Sequence, residues 1–314
     1  MLQPRIDRRV FLKESLVPAA VLPLLASGTG QGAATREEPF ASTEKPPGII
    51  DTNVHLFDWP FRRLKYSRTS DLVTKLRKHR VMQAWAGSFQ ALLHKNLDAA
   101  NARLADECRT HGAGLLVPFG SVNPVWPDWE EDLRRCHEVH RMPGIRLYPS
   151  FHNYRLDRLE FIELLGRATE RGLVVQIVIS MEDERVHHPI INVPPAEATP
   201  LVEASKQVPQ ARLQLLNCLS ALQRGGASDL VNETTIVFDI SNLEGTGAVG
   251  RLMDGKHWSI RPQVPHSRLL FGSHAPFCPC EAALLRLFES PLEREPLVAI
   301  MQGNARRLLG KTEA

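Results

Sequence analysis

Residues 49–57, Ile-Ile-Asp-Thr-Asn-Val-His-Leu-Phe, form an apolar run that carries Asp51, Asn53 and His55 at every second position. Alternate side chains of a β-strand point to the same side, so these three residues should project together. In a closed parallel barrel that shared side is the interior, and the carboxyl end of the strand opens onto the face where active sites form. The stretch therefore predicts a first barrel strand with a candidate site at its end.

Seven further apolar segments alternate with amphipathic, helix-like segments along the rest of the chain. They are Arg80–Ala86, Gly114–Ser121, Gly144–Pro149, Leu173–Ser180, Arg212–Asn217, Thr235–Ser241 and Arg268–Ser273. Regular alternation favours parallel βαβ units, and eight strands match a (β/α)8 TIM barrel. A doubly wound open sheet is the alternative, but no glycine-rich phosphate-binding loop follows any of these strands. We therefore predict an α/β protein with a single (β/α)8 barrel domain over residues 49–314.

The first 34 residues have the features of an export signal. Residues 7–13, Asp-Arg-Arg-Val-Phe-Leu-Lys, resemble the twin-arginine motif, and the apolar segment Ser15–Ala26 and the small residues 32–34 follow in order. The apolar segment is shorter than the roughly 20 residues of a membrane span. We therefore expect a signal peptide over residues 1–34 and a linker over residues 35–48. The mature chain should lack a membrane span and act in the periplasm or elsewhere outside the cytoplasm of a bacterium.

The composition is that of a soluble globular protein, with 43% hydrophobic and 23% charged residues among 314. The formal net charge is +3. Without residues 1–34, which hold four basic and two acidic residues, 34 basic and 33 acidic residues remain, a net charge of +1. This balance gives no indication of a nucleic-acid or anionic-membrane partner, so a small-molecule substrate is the partner that we expect.

Several segments together resemble the amidohydrolase-related branch of the metal-dependent hydrolase superfamily. In this family a His-x-His pair at the end of the first strand holds a catalytic metal, and residues 51–55 resemble that strand with Asn53 in place of the first histidine. Further similar segments are Gly144–Pro149, Phe238–Ser241, Leu270–Phe277 and Gln302–Leu308. The resemblance covers roughly residues 48–310 and implies a TIM barrel. The branch includes decarboxylases and lactonases as well as amide hydrolases.

Most of the chemical positions of this family are altered in this chain. His274 stands where the last strand of the family carries a metal-binding aspartate, and Val178 and Asn217 align with the histidines of the fifth and sixth strands. Zinc sites use about three histidine or carboxylate ligands, whereas asparagine is a weak ligand and valine is none. We therefore predict a degenerate metal site without a firmly bound cofactor. The alternative is one weakly bound divalent ion such as zinc on Asn53, His55 and His274.

The five cysteines give no disulfide framework, because their number is odd and three of them lie in apolar helix-like or strand-like settings. Cys278 and Cys280 follow His274 closely, and thiolates bind zinc well. A Cys-x-Cys pair nevertheless chelates a single tetrahedral ion awkwardly. We favour the interpretation that both are ordinary loop cysteines over a zinc site with His274.

Two functional hypotheses follow. The first is a lactonase-like hydrolase of a small carboxylate-bearing lactone, ester or amide with weak or no metal dependence, since some lactonases of the superfamily work without metal. In it Arg146 anchors the substrate carboxylate, His55 polarises the carbonyl and neutral His274 acts as general base, with the two imidazoles within roughly 8 Å. Asp239 orients His274 or acts as a base. Purely structural roles remain the alternative for Arg146, as an ion pair, and for Asp239, as a hydrogen-bonded carboxylate. The second hypothesis is a non-catalytic barrel, a pseudoenzyme that retains a ligand- or partner-binding pocket.

Overall fold

The computed structural model describes residues 47–310, with the exception of 184, 186, 187, 189, 190, 192, 224 and 225. The predicted signal peptide and nearly all of the predicted linker lie outside the described residues, so both stay predictions. All five cysteines are free thiols. In the described part of the chain, no helix has the length and apolar character needed to cross a membrane.

Eight short strands follow one another in chain order, and every pairing between them is parallel. They are β1 (Ile49–Leu56), β2 (Val81–Ser88), β3 (Leu116–Pro118), β4 (Gly144–Leu147), β5 (Val174–Val178), β6 (Arg212–Leu216), β7 (Val237–Asp239) and β8 (Leu269–Leu270). Continuous pairing joins β1 to β3 in one sheet and β4 to β8 in a second. The sequential parallel order confirms the predicted (β/α)8 class.

Single parallel bridges join the two sheets at both seams. Gly120 bridges Ile145 between β3 and β4, and Val54 bridges Ala275 between β1 and the segment after β8. At the second seam the His55 amide donates to the Ala275 carbonyl at 2.9 Å. This second seam brings the end of β1 beside the residues that follow β8, where the candidate site was predicted.

In the described part of the chain, helices lie between all successive strands, and three more follow β8. In chain order they are α1 (Thr69–Lys78), α2 (Leu97–His111), α3 (Trp129–Arg134), α4 (Pro149–His152), α5 (Leu159–Glu170), α6 (Leu201–Gln207), α7 (Leu219–Gln223), α8 (Ala227–Asn232), α9 (Ala248–Met253), α10 (Cys280–Phe288), α11 (Arg294–Val298) and α12 (Asn304–Leu308). In α5 the buried residues are Phe161, Leu164, Leu165 and Ala168. Their spacing of three and four residues is that of one face of an amphipathic helix, and this face packs on the core.

Some element boundaries differ from the sequence-based prediction. The last strand was predicted over Arg268–Ser273, but β8 pairs only over Leu269–Leu270. Beyond Leu270, Phe271 N donates to the Ile300 carbonyl and Ser273 N donates to the Asp51 carboxylate, both at 2.9 Å, rather than to main-chain oxygens of a neighbouring strand. The pairing of β1 with β2 also shifts register between Asp51 and Val54. Asp51 therefore binds main-chain amides, while Asn53 and His55 contact side chains of the barrel interior.

Candidate active site

A cleft of about 620 Å³ opens above the carboxyl ends of β5 to β8. Its floor includes Asn217 after β6, Ser241 after β7 and His274 after β8, and all three are buried. Arg62, from the segment after β1, and Arg286, from α10, contribute to the walls. This is the end of a parallel barrel at which loops and strand ends form active sites, so the cleft is the candidate site of this protein.

The two imidazoles from β1 and from the segment after β8 lie side by side. The ring centroids of His55 and His274 are 5.7 Å apart, in an edge-to-face arrangement. His55 stacks on Phe89 at 4.9 Å, and His274 stacks on Phe277 at 4.8 Å. Only His274 lines the cleft, because the side chain of His55 is completely buried beneath this aromatic layer.

His274 is held as a neutral imidazole with the proton on Nε2. Its Nε2 lies 2.8 Å from the main-chain oxygen of Met181, which can only accept a hydrogen bond. Its Nδ1 lies 3.4 Å from Nδ2 of Asn217, which can only donate. Burial lowers the pKa of His274 to about 4, with a further contribution from the charge of Arg146. The imidazole is therefore neutral at neutral pH, with its proton on Nε2 and its lone pair on Nδ1.

His55 is also neutral, but its protons are arranged in the opposite way. Its Nε2 lies 3.3 Å from Nη1 of Arg146, and a guanidinium group has no lone pair to offer, so Nε2 accepts and Nδ1 carries the proton. Burial, followed by the charge of Arg146, holds its pKa well below the ordinary value. In this arrangement His55 has no route to a substrate carbonyl in the cleft, which corrects its predicted role.

Arg146 lies inside the barrel and is fully buried. Nε donates to Oε1 of Gln176 at 2.8 Å and Nη1 to the Val54 carbonyl at 2.6 Å, while Nη2 donates to the carbonyls of Trp85 at 2.9 Å and Thr52 at 3.3 Å. With the contact to His55, all five N–H groups of the guanidinium have a partner. The predicted carboxylate clamp is therefore corrected, because no donor of Arg146 is left for a substrate, and the side chain connects strands from inside instead.

Asp239 reaches His274 only through Asn217. Its Oδ1 accepts from the main-chain amide of Asn217 at 2.9 Å, and its Oδ2 accepts from Nδ2 of Asn53 at 2.7 Å. Asn53 Nδ2 also donates to Oδ1 of Asn217 at 2.8 Å, and the hydroxyl of Ser241 donates to the same oxygen at 2.8 Å. Burial raises the pKa of Asp239. These contacts fix the amide of Asn217, which in turn faces His274.

This donor arrangement does not fit the metal site that the family resemblance implies. Among the described residues no three histidine, cysteine or carboxylate side chains form a group suited to one ion. The Nε2 lone pair of His55 faces a guanidinium cation, and Asn53 turns its NH2 group toward Asp239 and Asn217. Val178 packs in an aromatic and aliphatic cluster. Burial raises the pKa of the Cys278 and Cys280 thiols, which also disfavours thiolate ligands.

Arg286 is a residue of this site that the sequence analysis missed. It is half-buried in the cleft wall and donates to the Ile240 carbonyl at 3.2 Å. Burial in the cleft wall lowers its pKa. The other two arginines of the cleft are ion-paired, Arg62 with Glu182 and Arg185 with Asp183 and Glu244. The sequence does contain a feature that could have identified it: Arg286 is the one arginine in the mainly apolar helix Cys-Glu-Ala-Ala-Leu-Leu-Arg-Leu-Phe.

We predict that Arg146→Lys lowers the free energy of unfolding by about 3 kcal/mol. A lysine has three donors without the planar fork, so at least two buried acceptors lose their hydrogen bond at about 1–3 kcal/mol each. Chemical denaturation with circular dichroism measures the change. The exposed Arg103→Lys is the matched control and should change stability by less than about 0.5 kcal/mol. Equal stability of the two variants would contradict the role of Arg146 inside the barrel.

We predict that chelation does not destabilise this protein. Because the lone pairs that a metal would need are directed at Arg146 and Asn217, EDTA should leave the melting temperature unchanged, and added Mn²⁺ or Zn²⁺ should not raise it. Elemental analysis of protein purified without chelator should find far less than one equivalent of a divalent metal. A stoichiometric metal whose removal lowers the melting temperature would contradict the geometry described above.

Comparisons with known proteins agree with this architecture. The solved structures that resemble the chain include 2,6-dihydroxybenzoate decarboxylase from Rhizobium, with 15% identity, a TM-score of 0.61, and coverage of 84% of this chain and 98% of that one. Dihydroxybenzoic acid decarboxylase from Polaromonas sp. JS666, with bound manganese and 2-nitroresorcinol, shows 13% identity, a TM-score of 0.65, and coverage of 85% and 98%. 5-Carboxyvanillate decarboxylase from Novosphingobium aromaticivorans, complexed with manganese, shows 11% identity, a TM-score of 0.65, and coverage of 84% and 96%.

At these identities the likeness concerns the fold. Comparison with curated protein sequences gives no significant match. The family model described as amidohydrolase matches residues 50–213, which is slightly more than half of the chain. This match, together with the parallel barrel and the cleft at its carboxyl end, shows that the chain belongs to the amidohydrolase family.

Proposed function

We propose that this protein is a metal-independent hydrolase that acts on a small carboxylate-bearing lactone, ester or amide in the cleft. The observation that carries the proposal is the neutral imidazole of His274 on the cleft floor. Its Nδ1 lone pair accepts only one long hydrogen bond, from Nδ2 of Asn217 at 3.4 Å. A general base must be unprotonated at the working pH, and the lowered pKa of His274 meets this condition.

Arg286 supplies the substrate anchor in place of Arg146. A guanidinium group binds a carboxylate through paired hydrogen bonds, and partial burial strengthens such a contact. Arg286 reaches the cleft from α10, which follows directly after the loop of His274. When Arg286 binds the carboxylate, the rest of a small substrate lies in the cleft that His274 also lines.

His274 then accepts a proton from the attacking water on Nδ1. The Met181 carbonyl accepts a hydrogen bond from Nε2 at 2.8 Å. This contact fixes the tautomer and stabilises the imidazolium that forms. Once Nδ1 is protonated it no longer accepts from Asn217, so one amide hydrogen of Asn217 becomes available to the oxygen anion of the tetrahedral intermediate. The other amide hydrogen stays on the Ser180 carbonyl at 2.7 Å. When the intermediate collapses, the acyl C–O or C–N bond breaks and His274 returns the Nδ1 proton to the leaving oxygen or nitrogen, so no step uses a metal ion.

We place this reaction outside the cytoplasm, on the evidence of the twin-arginine-like motif at residues 7–13 and the apolar segment that follows it. Both lie outside the described residues.

The second candidate function is ligand binding without catalysis. The burial of His55 and the full engagement of Arg146 favour it, because both remove groups that the catalytic hypothesis first assigned to the substrate. A histidine with a pKa of about 4 is also a weak base. The two candidates predict the same carboxylate-binding cleft and differ only in turnover.

A substrate panel separates these candidates. Wild-type protein is assayed with lactones, esters and amides that carry a carboxylate, and with 2,6-dihydroxybenzoate and 5-carboxyvanillate as decarboxylase substrates, each with and without EDTA. Hydrolysis that resists EDTA supports the proposal. Saturable binding of small carboxylates without any turnover supports the non-catalytic barrel, and carbon dioxide release from the two benzoates would overturn the proposed reaction type.

We predict that His274→Asn lowers kcat by about 100-fold, because general base catalysis contributes about that much. The melting temperature should stay within a few degrees, since asparagine retains polar atoms for the Asn217 contact. His266→Asn is the matched control, because His266 lies at the barrel surface and pairs with Glu295 at 3.0 Å. Full activity of His274→Asn would exclude His274 as the base.

We predict that kcat/KM stays flat from pH 8 to about pH 5 and falls only as the pH approaches 4. The base must be neutral to accept a proton, and burial lowers the pKa of His274 to about 4, so protonation removes the base only in that range. The profile is measured with a substrate that does not itself titrate between pH 4 and pH 8. An inflection between pH 6 and pH 7 would point to a solvated histidine instead.

We predict that Arg286→Gln raises KM, or Kd in a binding assay, by about 10- to 100-fold for carboxylate ligands. This range corresponds to the loss of one hydrogen-bonded charge pair of about 1.5–3 kcal/mol. Binding of the matching methyl esters should change little. Arg251→Gln, on the exposed side of α9, is the control and should leave KM unchanged. Equal losses for acids and esters would show that Arg286 shapes the cleft rather than binds the carboxylate.

A further inference from the structure

A second cavity of about 440 Å³ lies beside the cleft, between the segment that follows β1, one face of α1 and the segment that leads into α10. We call it the side cavity. It shares only Arg62, Phe277 and Cys278 with the lining of the cleft, so these residues form a wall between the two spaces. Its volume is within the range of small-molecule sites. No role in the proposed reaction is assigned to it.

The lining of the side cavity is mainly apolar. Leu72 and Leu76 from α1 and Pro276 are buried, while Leu64 and the ring of Tyr66 are half-buried and face the same space. Such a surface gains free energy when an apolar group of a ligand replaces water. A ligand of this cavity therefore needs an apolar body.

The charge around the side cavity is positive. Of its four cationic residues, Arg62 pairs with Glu182 and Lys75 pairs with Glu281. Arg63 and Lys65 are exposed and have no acidic partner among the described residues. Lys65 Nζ lies 5.1 Å from the centroid of Tyr66, at the boundary between the apolar lining and the cationic rim. Two uncompensated cations beside an apolar hollow complement an anion with an apolar tail.

We propose that the side cavity binds a small amphipathic anion, an apolar chain or ring that ends in a carboxylate or a similar acidic group. The apolar part lies against Leu64, Tyr66 and Pro276, and the anionic end is held at the rim by Arg63 and Lys65. This site does not depend on turnover in the cleft, because its binding residues come from the segments that follow β1 and β8 and include neither His274 nor Arg286.

Isothermal titration with straight-chain alkanoates tests the proposal. Affinity should rise from hexanoate to octanoate and decanoate by about fourfold for each methylene that enters the cavity. The double variant Arg63→Glu, Lys65→Glu should weaken decanoate binding by about tenfold or more, since two attractive charges become repulsive. Leu64→Gln should weaken the chain-length dependence. Wild-type binding should decrease as the salt concentration rises, because the two cations are exposed.

Two control variants decide where the probe binds. Lys78→Glu changes an exposed charge of α1 that does not line the cavity, and it should leave decanoate binding unchanged. Arg286→Gln weakens carboxylate binding in the cleft only, so the decanoate binding that depends on Arg63 and Lys65 should remain in this variant. The proposal is overturned if decanoate does not bind to the wild-type protein. It is equally overturned if Arg286→Gln reduces binding as much as the double variant does, because the probe would then lie in the cleft. Circular dichroism and melting curves confirm that each variant is folded.

Discussion

The guanidinium group of Arg146 is the interaction on which the interior of this barrel depends. It is a buried cation without a buried carboxylate in direct contact, and its charge is balanced by the dipoles of acceptors from β1, β2 and β5. A buried charge is tolerated only when every donor is satisfied, and here all five are. Gly87 of β2 leaves the space for it, because a Cβ there would lie 2.7 Å from Nη1. The group therefore ties the two sheets together from inside.

The same cation determines the chemistry next to it. It forces the Nε2 atom of His55 to act as an acceptor, which leaves His55 neutral, and it helps to keep His274 neutral on the cleft floor. A dication close to this guanidinium would face strong repulsion. Two solved structures that resemble the fold contain manganese, whereas this chain has a fixed organic cation in the region in which the family resemblance implies a metal.

Hydrogen bonds around Asn217 connect the barrel interior to His274 on the cleft floor. Asn53 and Asp239 hold the main chain and side chain of Asn217, and Asn217 in turn faces the lone pair of His274. Asn53 and Asn217 are thus partners of each other. An amide provides both a donor and an acceptor, so the pair satisfies buried groups without an ion. This pairing makes a metal-free reaction compatible with the family fold.

The sequence by itself determined the class of the fold and most of its elements. The buried residues of α2 and of α5 recur at intervals of three and four along the sequence, as expected for one face of a helix. These patterns are local, because the period of the apolar residues already defines which face of an element is buried. Helices as short as α7 and α8 give little such periodicity, so the sequence does not define them.

Only the tertiary structure decided what the polar residues of the site do. The sequence identified Arg146 and His55 as candidates and predicted that the imidazoles of His55 and His274 lie close together, which the distance of 5.7 Å between the rings bears out. It could not reveal that the donors of Arg146 are used by carbonyls of Thr52, Val54 and Trp85, because these partners belong to strands far apart along the chain. Residue type limits which hydrogen bonds a side chain can make. The closing of the barrel alone determines which of them are available, and therefore which groups are left for a substrate.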